Sequence, residues 1–236
     1  NKMSVLNHSP TILRDKLILC LDAGAAQSYA GSGSNWDDIA GSAWIRGAIN
    51  GATFSAESGA GGTKSFSFDG TDDYIDLGDP ANLSFGDGST DSAFSISAWI
   101  YREGTLASHD AIVCKDATSN REWAFYIYSG KLSCVLFDNS AGYRGRKYNT
   151  AGIPINTWNH VVMTYNGNSS TTGIKLYLNG TQVDDQDVSS GAYTAMENTT
   201  AAARIGQKEI DPLYFDGNID DVLITSTELS SSDITD

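Results

Sequence analysis

The chain has 236 residues and a mass of 25.2 kDa, with 40% hydrophobic and 19% charged positions, enough for one large domain or two small ones. Twenty-four Gly against four Pro, 10% aromatic residues and a mean hydropathy of -0.26 exclude a collagen-like, disordered or polytopic membrane chain and predict a soluble globular one. Fifteen Lys and Arg face twenty-nine Asp and Glu, so the net charge of -14 repels phosphate backbones and anionic headgroups; neither nucleic acid nor a membrane is expected as a partner.

Residues 1–16 are aperiodic and carry Pro10, which predicts an N-terminal arm with no continuous apolar run of a signal peptide. From Leu17 onward, short β-rich segments alternate with Gly, Asn, Asp and Ser clusters. Strands are predicted at 17–21, 65–68, 74–77, 94–101, 111–115, 123–128, 131–137, 160–165, 174–178, 181–183, 203–206 and 219–225. In one of them Phe94, Ile96, Ala98 and Ile100 alternate with Ser95, Ser97, Trp99 and Tyr101, giving one apolar face and one of hydroxyls and rings. Asn179-Gly180 and Ser129-Gly130 tolerate positive φ and predict two-residue hairpins. Helical periodicity is confined to a short stretch near Ser230–Ile234. Many short strands without crossover helices imply an all-β fold, an antiparallel two-sheet β-sandwich of jelly-roll type over residues 17–236. Cys20 and Cys134 sit in apolar runs and read, with Cys114, as buried thiols; a Cys114–Cys134 bridge stays open.

Particular runs carry a resemblance. Phe68-Asp69-Gly70-Thr71-Asp72-Asp73-Tyr74-Ile75, Phe94-Ser95-Ile96-Ser97-Ala98-Trp99-Ile100, Trp158-Asn159-His160-Val161-Val162-Met163-Thr164-Tyr165, Leu176-Tyr177-Leu178-Asn179-Gly180 and Phe215-Asp216-Gly217-Asn218-Ile219-Asp220-Asp221-Val222 stand in one order. Together they resemble laminin-G-like domains of the concanavalin A-like lectin/glucanase superfamily, whose jelly roll is therefore the expected fold. The segment from Leu17 to Asp38, with Leu21-Asp22-Ala23-Gly24, Ser28-Tyr29 and Trp36, is similar to a subgroup associated with tailed-bacteriophage virion proteins and some bacterial surface proteins. The resemblance implies a non-catalytic recognition or decoration module on a virion surface, with a secreted bacterial lectin or adhesin as the alternative and a glucanase-like hydrolase behind both.

The glucanase branch places two Glu four or five positions apart on one strand. Here the six Glu, at 57, 103, 122, 197, 209 and 228, are never closer than 12 residues. The adjacent pairs Asp72-Asp73, Asp184-Asp185 and Asp220-Asp221 would point to opposite faces of a regular strand. His160 reads as a half-buried ring hydrogen-bonded across the sheet, without a signature for nucleophilic catalysis. Calcium, wanting six to eight oxygens, suits the acidic loops. The resemblance nominates Asp22, Asp69 and Asp220 as ligands of a structural Ca2+, with Asp216 in reserve; equally, Asp69 and Asp72 read as turn caps. For ligand binding, Tyr143, Arg144, Arg146 and Tyr148 form an aromatic and basic loop suited to an acidic glycan or an acidic protein neighbour, or to protecting a sheet edge. Trp123, Tyr126 and Tyr128 read as core or as a sheet-face platform, and Trp99 and Trp158 as packing. Loops near 103–110, 138–152 and 185–200 are expected to meet the partner. The expected partners are a cell-surface glycan, virion structural proteins held through the arm, and a second copy of the chain.

Overall fold

The computed structural model describes residues 16–41, 45–56, 59–61, 64–105, 109–141, 143–190 and 192–235, with Tyr143, Arg144, Arg146, Ser190 and Thr235 described by backbone alone. The predicted arm, apart from Lys16, lies outside the described residues. In chain order the strands are β1 (Leu17–Leu21), β2 (Asn35–Asp37), β3 (Arg46–Asn50), β4 (Thr53–Ser55), β5 (Ser65–Asp69), β6 (Tyr74–Gly78), β7 (Phe94–Arg102), β8 (Asp110–Ala117), β9 (Asn120–Tyr128), β10 (Lys131–Asp138), β11 (Tyr143–Tyr148), β12 (Trp158–Tyr165), β13 (Ile174–Leu178), β14 (Thr181–Gln182), β15 (Gln186–Ser190), β16 (Ala203–Ile205), β17 (Gln207–Lys208), β18 (Leu213–Tyr214) and β19 (Asp216–Thr225). One short helix, α1 (Ser231–Thr235), follows them.

An eight-stranded sheet runs β14-β13-β12-β7-β19-β5-β4, with β1 also paired to β19, and a nine-stranded sheet runs β15-β11-β10-β9-β8-β16-β6-β3-β2. Every described pairing in them is antiparallel, so the two-sheet sandwich expected from the strand pattern is the fold. The inner faces interdigitate: Phe94, Ile96, Ala98 and Ile100 of β7 meet Trp123, Phe125 and Ile127 of β9 and Leu132, Cys134 and Leu136 of β10 in one buried cluster. Phe85 stacks on Phe94 with centroids 4.0 Å apart, and the Trp123 indole Nε1–H donates to the Leu83 carbonyl at 2.9 Å, satisfying its buried polar end. Both predicted hairpins form, with φ of 50° and 79° at Asn179-Gly180 and 50° and 74° at Ser129-Gly130.

The β7 and β19 backbones approach so closely that a Cβ on Gly217 would lie 2.0 Å from the Tyr101 carbonyl oxygen, so only glycine fits there.

Several expectations are corrected. Residues 143–148 and 186–190 are not free loops: β11 pairs with β10 on one side and β15 on the other, which satisfies its backbone on both edges. Charged residues and Gly145 hide the alternation by which a strand is recognised. Short β2, β3 and β4 were likewise missed, because three to five residues give too few periods to read. The cysteines, by contrast, are the buried free thiols expected, and the bridge left open does not form: Cys134 faces the inter-sheet core, whereas Cys114 belongs to the cluster on the outer face of the same sheet.

At one end of the sandwich a buried ion pair ties β7 to β8. Arg102 is wholly buried; its Nε and Nη2 donate to Asp110 Oδ2 at 3.1 and 2.7 Å, and its Nη1 donates to the Ile153 carbonyl at 3.1 Å. Removing the acid strands a guanidinium in low dielectric. Asp110→Ala is expected to lower unfolding stability by about 3–5 kcal/mol in denaturant titration, and a loss under about 1 kcal/mol would show that the pair does not hold these strands.

Candidate functional site

Two constellations stand out, one on the outer face of each sheet. The first is made by a bulge in β19. Asp220 pairs with Trp99 and Leu223 with Ser97, so Asp221 and Val222 together oppose the single residue Ala98, and Asp221 adopts φ 49°. Ile219, Val222 and Ile224 enter the core, and Asp220 and Asp221 join Asp22, at the end of β1, with carboxylate oxygens all within 4.8 Å of one another. The reading that Asp220 and Asp221 diverge therefore fails, because it assumed an unbroken period of two. The signal was present: apolar residues at 219, 222 and 224 step by three and then two.

Asp220 is 1% exposed and accepts the Ala23 amide at 3.0 Å. Burial above all, then the Asp221 and Asp22 carboxylates, push its pKa up to about 8. Asp22 Oδ1 caps the following turn, accepting Gly24 N at 2.7 Å and Ala25 N at 3.1 Å. Next to the cluster, the Cys20 thiol is raised to about 12 by burial and by Asp22, Asp221 and Asp38.

Asp69 does not join Asp22 and Asp220. It ends β5 in a separate cluster with Asp72 and Asp73. Asp69 Oδ1 accepts Thr71 N at 2.8 Å and Asp72 N at 3.3 Å, and those amide bonds hold its pKa below the usual value, which is the turn-capping reading. Asp216 pairs in register with Asp69, and its pKa is raised by burial and by Glu103, Asp110 and Asp69.

The second constellation lies on the outer face of the nine-stranded sheet. On β9, Trp123, Phe125 and Ile127 point inward, so Tyr126 and Tyr128 point outward. Tyr128 is 40% exposed, one of two large hydrophobic side chains so open among the described residues. His109 meets it edge-on, with centroids 4.6 Å apart and planes at 88°. Across the Ser129-Gly130 turn Lys131 pairs in register with Tyr128, and its Nζ stands 5.5 Å from the centroid of the Tyr148 ring. Tyr126 is covered, with Tyr128 6.3 Å and the Lys208 ammonium 5.9 Å from its ring. Of the nominated ligand-binding residues, Tyr148 thus joins the site. Arg144 and Arg146 occupy register positions opposite Phe137 and Val135, and the side chains of these two and of Tyr143 lie outside the described residues. His109 and Lys131 lie outside the nominated residues, and Tyr128 takes the sheet-face alternative to its core reading; the outward phase of β9 is the available clue.

The outer face of the eight-stranded sheet also carries rings. Trp99 and His160 lie 5.2 Å apart and Tyr101 and Trp158 5.8 Å apart, all half-buried, while Ser97 Oγ is 2.7 Å from His160 Nε2. This is the cross-sheet hydrogen bond expected of His160. Trp99 and Trp158 pack on that outer face rather than in the core.

With this geometry in place the family is clear. A laminin-G-type family profile, described as the concanavalin A-like lectin/glucanases superfamily, matches residues 69–235, and the chain belongs to that superfamily. A search of curated proteins finds no match. Among solved structures, domain 4 of AbnA, a GH43 extracellular arabinanase from Geobacillus stearothermophilus in complex with arabinotriose, superposes with a TM-score of 0.64 at 19% identity, covering 93% of this chain and 97% of that one. The receptor binding domain of botulinum neurotoxin C/D mosaic serotype gives a TM-score of 0.64 at 19% identity over 94% of this chain and 51% of that one. The botulinum neurotoxin serotype D ligand binding domain in complex with N-acetylneuraminic acid gives 0.62 at 20% identity over 94% and 50%. The chain thus spans about half the length of these toxin domains, and the likeness is one of fold.

Because Asp220 is raised to about 8, while an unfolded Asp titrates near 3.9, the native state holds a proton through this window that the unfolded chain has released. That contribution to stability is lost as pH rises toward 8. In chelator-treated protein, Asp220→Asn is expected to gain melting temperature relative to wild type between pH 5 and pH 8; a difference constant with pH would show that Asp220 titrates normally.

Proposed function

We propose that this chain is a non-catalytic glycan-recognition module, and that the sugar rests on the outer pole of the nine-stranded sheet formed by His109, Tyr128, Lys131 and Tyr148. The observation that carries this reading is the exposed Tyr128 ring, braced edge-on by His109 and adjoining a half-buried ammonium. An aromatic face takes the C–H side of a sugar, and polar groups beside it fix orientation. The arabinotriose and N-acetylneuraminic acid of the structurally similar domains support the same reading. The proposed setting is an extracellular surface, in the first instance that of a virion, supported by the resemblance of the Leu17–Asp38 segment. Residues 1–16 would tether the module to a neighbouring structural protein.

One observation favours hydrolysis as a second reading: the carboxylates of Asp22, Asp220 and Asp221 lie within 4.8 Å, and Asp220 keeps its proton to about pH 8. A general acid must reach a leaving-group oxygen, however, and Asp220 is 1% exposed with Oδ1 engaged by a backbone amide. The cluster suits a hard cation better. Three hard carboxylate donors converge there, and a divalent ion would replace the proton that burial and mutual repulsion force onto Asp220. Asp22, Asp220 and Asp221 are the proposed holders of a structural Ca2+, pinning β1 to β19.

On a glycan array the full chain is expected to bind oligosaccharides, and Tyr128→Ala to weaken binding at least tenfold with the melting temperature little changed; wild-type silence on the array would remove the proposal. Incubation with β-glucan and arabinan panels should release no reducing sugar, and measurable turnover lost in Asp221→Asn would install the hydrolase reading instead. Millimolar calcium is expected to raise the melting temperature of wild type and not of Asp220→Asn, and equal shifts in both would place any ion elsewhere.

A further inference from the structure

We infer that the sugar taken at the Tyr128 pole carries a carboxylate, as a uronic or sialic acid does, and that Lys131 is the residue that reads it. The inference rests on the glycan reading above and narrows it.

In this strongly acidic chain, most described Lys and Arg side chains already have a carboxylate partner. Arg102 is held by Asp110, Lys115 by Asp79 and Glu122, Arg121 by Asp116, Lys147 by Asp184, Lys175 by Glu228, Arg204 by Asp76 and Glu209, and Lys208 by Asp116 and Asp211. Lys131, like Lys16 and Lys64, has no carboxylate partner among the described residues, although twenty-nine acids are present in the sequence, and of the three it alone adjoins the exposed Tyr128. Its stem is half-buried on the sheet, and the Tyr148 ring beneath its ammonium, 5.5 Å away, holds it through a cation–π contact that leaves its charge unneutralised.

Position supplies the second step. Lys131 is the cross-strand partner of Tyr128, and directly opposed side chains on one face stand about 4.5–5.5 Å apart at Cβ. A pyranose laid on the exposed Tyr128 ring therefore presents its ring substituents to the Lys131 ammonium. A hydroxyl there would gain one neutral hydrogen bond, whereas a carboxylate gains a charge-assisted one in a half-buried setting. On the adjacent strand β11, Arg144 and Arg146, in register with the outward-facing Phe137 and Val135, add two more basic positions to this side of the sheet. Long-range repulsion from the net charge of -14 works against any acidic ligand, so a local cation left unpaired is what such recognition requires.

The test uses matched pairs on the full chain by isothermal titration: sialyllactose against lactose, and digalacturonate against galactobiose. The acidic member of at least one pair is expected to bind about tenfold more tightly at low salt, with the ratio shrinking as ionic strength rises. The pair that shows the preference separates a sialylated surface glycan from a uronate polysaccharide. Lys131→Gln should bring the ratio toward one, while Lys175→Gln, on the other sheet, leaves it as in wild type. Equal affinity for acidic and neutral members overturns the inference while the glycan reading survives, as does an acidic preference that persists in Lys131→Gln. No binding of any of the four sugars, with Tyr128→Ala equally silent, overturns both.

Discussion

The whole arrangement hangs on β19. It is the one strand that pairs with β7 along nearly its full length, with β5 through Asp216–Ile219 and with β1 through Val222–Thr225. Two partners share one edge because the strand changes its local twist where Asp221 and Val222 stand against Ala98 alone. Without the bulge, Val222 and Ile224 would turn outward, and the core face of the second half of the strand would be lost. The same irregularity that keeps apolar residues inward throws two consecutive carboxylates outward beside Asp22. Packing and electrostatic stress at this point are one event: the fold gains a closed core and accepts a buried acid whose proton is hard to remove.

In the nine-stranded sheet the core layer and the outer rings belong to opposite faces of the same strands. Its inner side is a continuous apolar layer, and its outer side divides. Toward one end, Ala111, Cys114, Ala124, Tyr126, Val135 and Phe137 are covered, partly by Leu213 of the β17–β18 hairpin and partly by Arg121, whose guanidinium lies 3.7 Å from the Phe137 ring centroid. Toward the Ser129-Gly130 turn that cover ends, and Tyr128 emerges with Lys131 and Tyr148 around it. The boundary between packed and open surface therefore falls between Tyr126 and Tyr128, two residues apart on one strand. The β9 backbone is held in register on both sides, by β8 and by β10, which fixes where Tyr126 and Tyr128 emerge.

How far the sequence discloses this depends on the length over which a pattern repeats. The long strands β7, β9, β10 and β12 are legible because a sustained run of strand-forming residues, or a primed turn such as Ser129-Gly130, leaves little choice, and β19 is legible by its apolar residues although its period breaks at the bulge. β11 was hidden because Arg144-Gly145-Arg146-Lys147 has no apolar alternation, and its pairing is supplied by neighbours distant in sequence. Of the three acids that the resemblance groups, the fold places Asp22 and Asp220 together and holds Asp69 apart in the turn-cap role that is its alternative reading, and Asp221 escapes a rule valid only for regular strands. His109 and Lys131 were invisible as site residues because each gains meaning only from Tyr128 and Tyr148, which arrive from other strands.

The distribution of charge completes the picture. An excess of fourteen negative charges would be expected to neutralise any cation within reach, and through most of the molecule it does, from the buried Arg102–Asp110 pair to the half-exposed Lys175–Glu228 pair. Among the described residues Lys131, like Lys16 and Lys64, stands outside that pattern. The neighbours of Lys131 are rings, Tyr128 as its cross-strand partner and Tyr148 beneath the ammonium. This pole thus brings together an exposed ring and a lysine with no carboxylate partner among the described residues. Either property alone is common on protein surfaces; their combination within one cross-strand pair is what gives this face its chemistry.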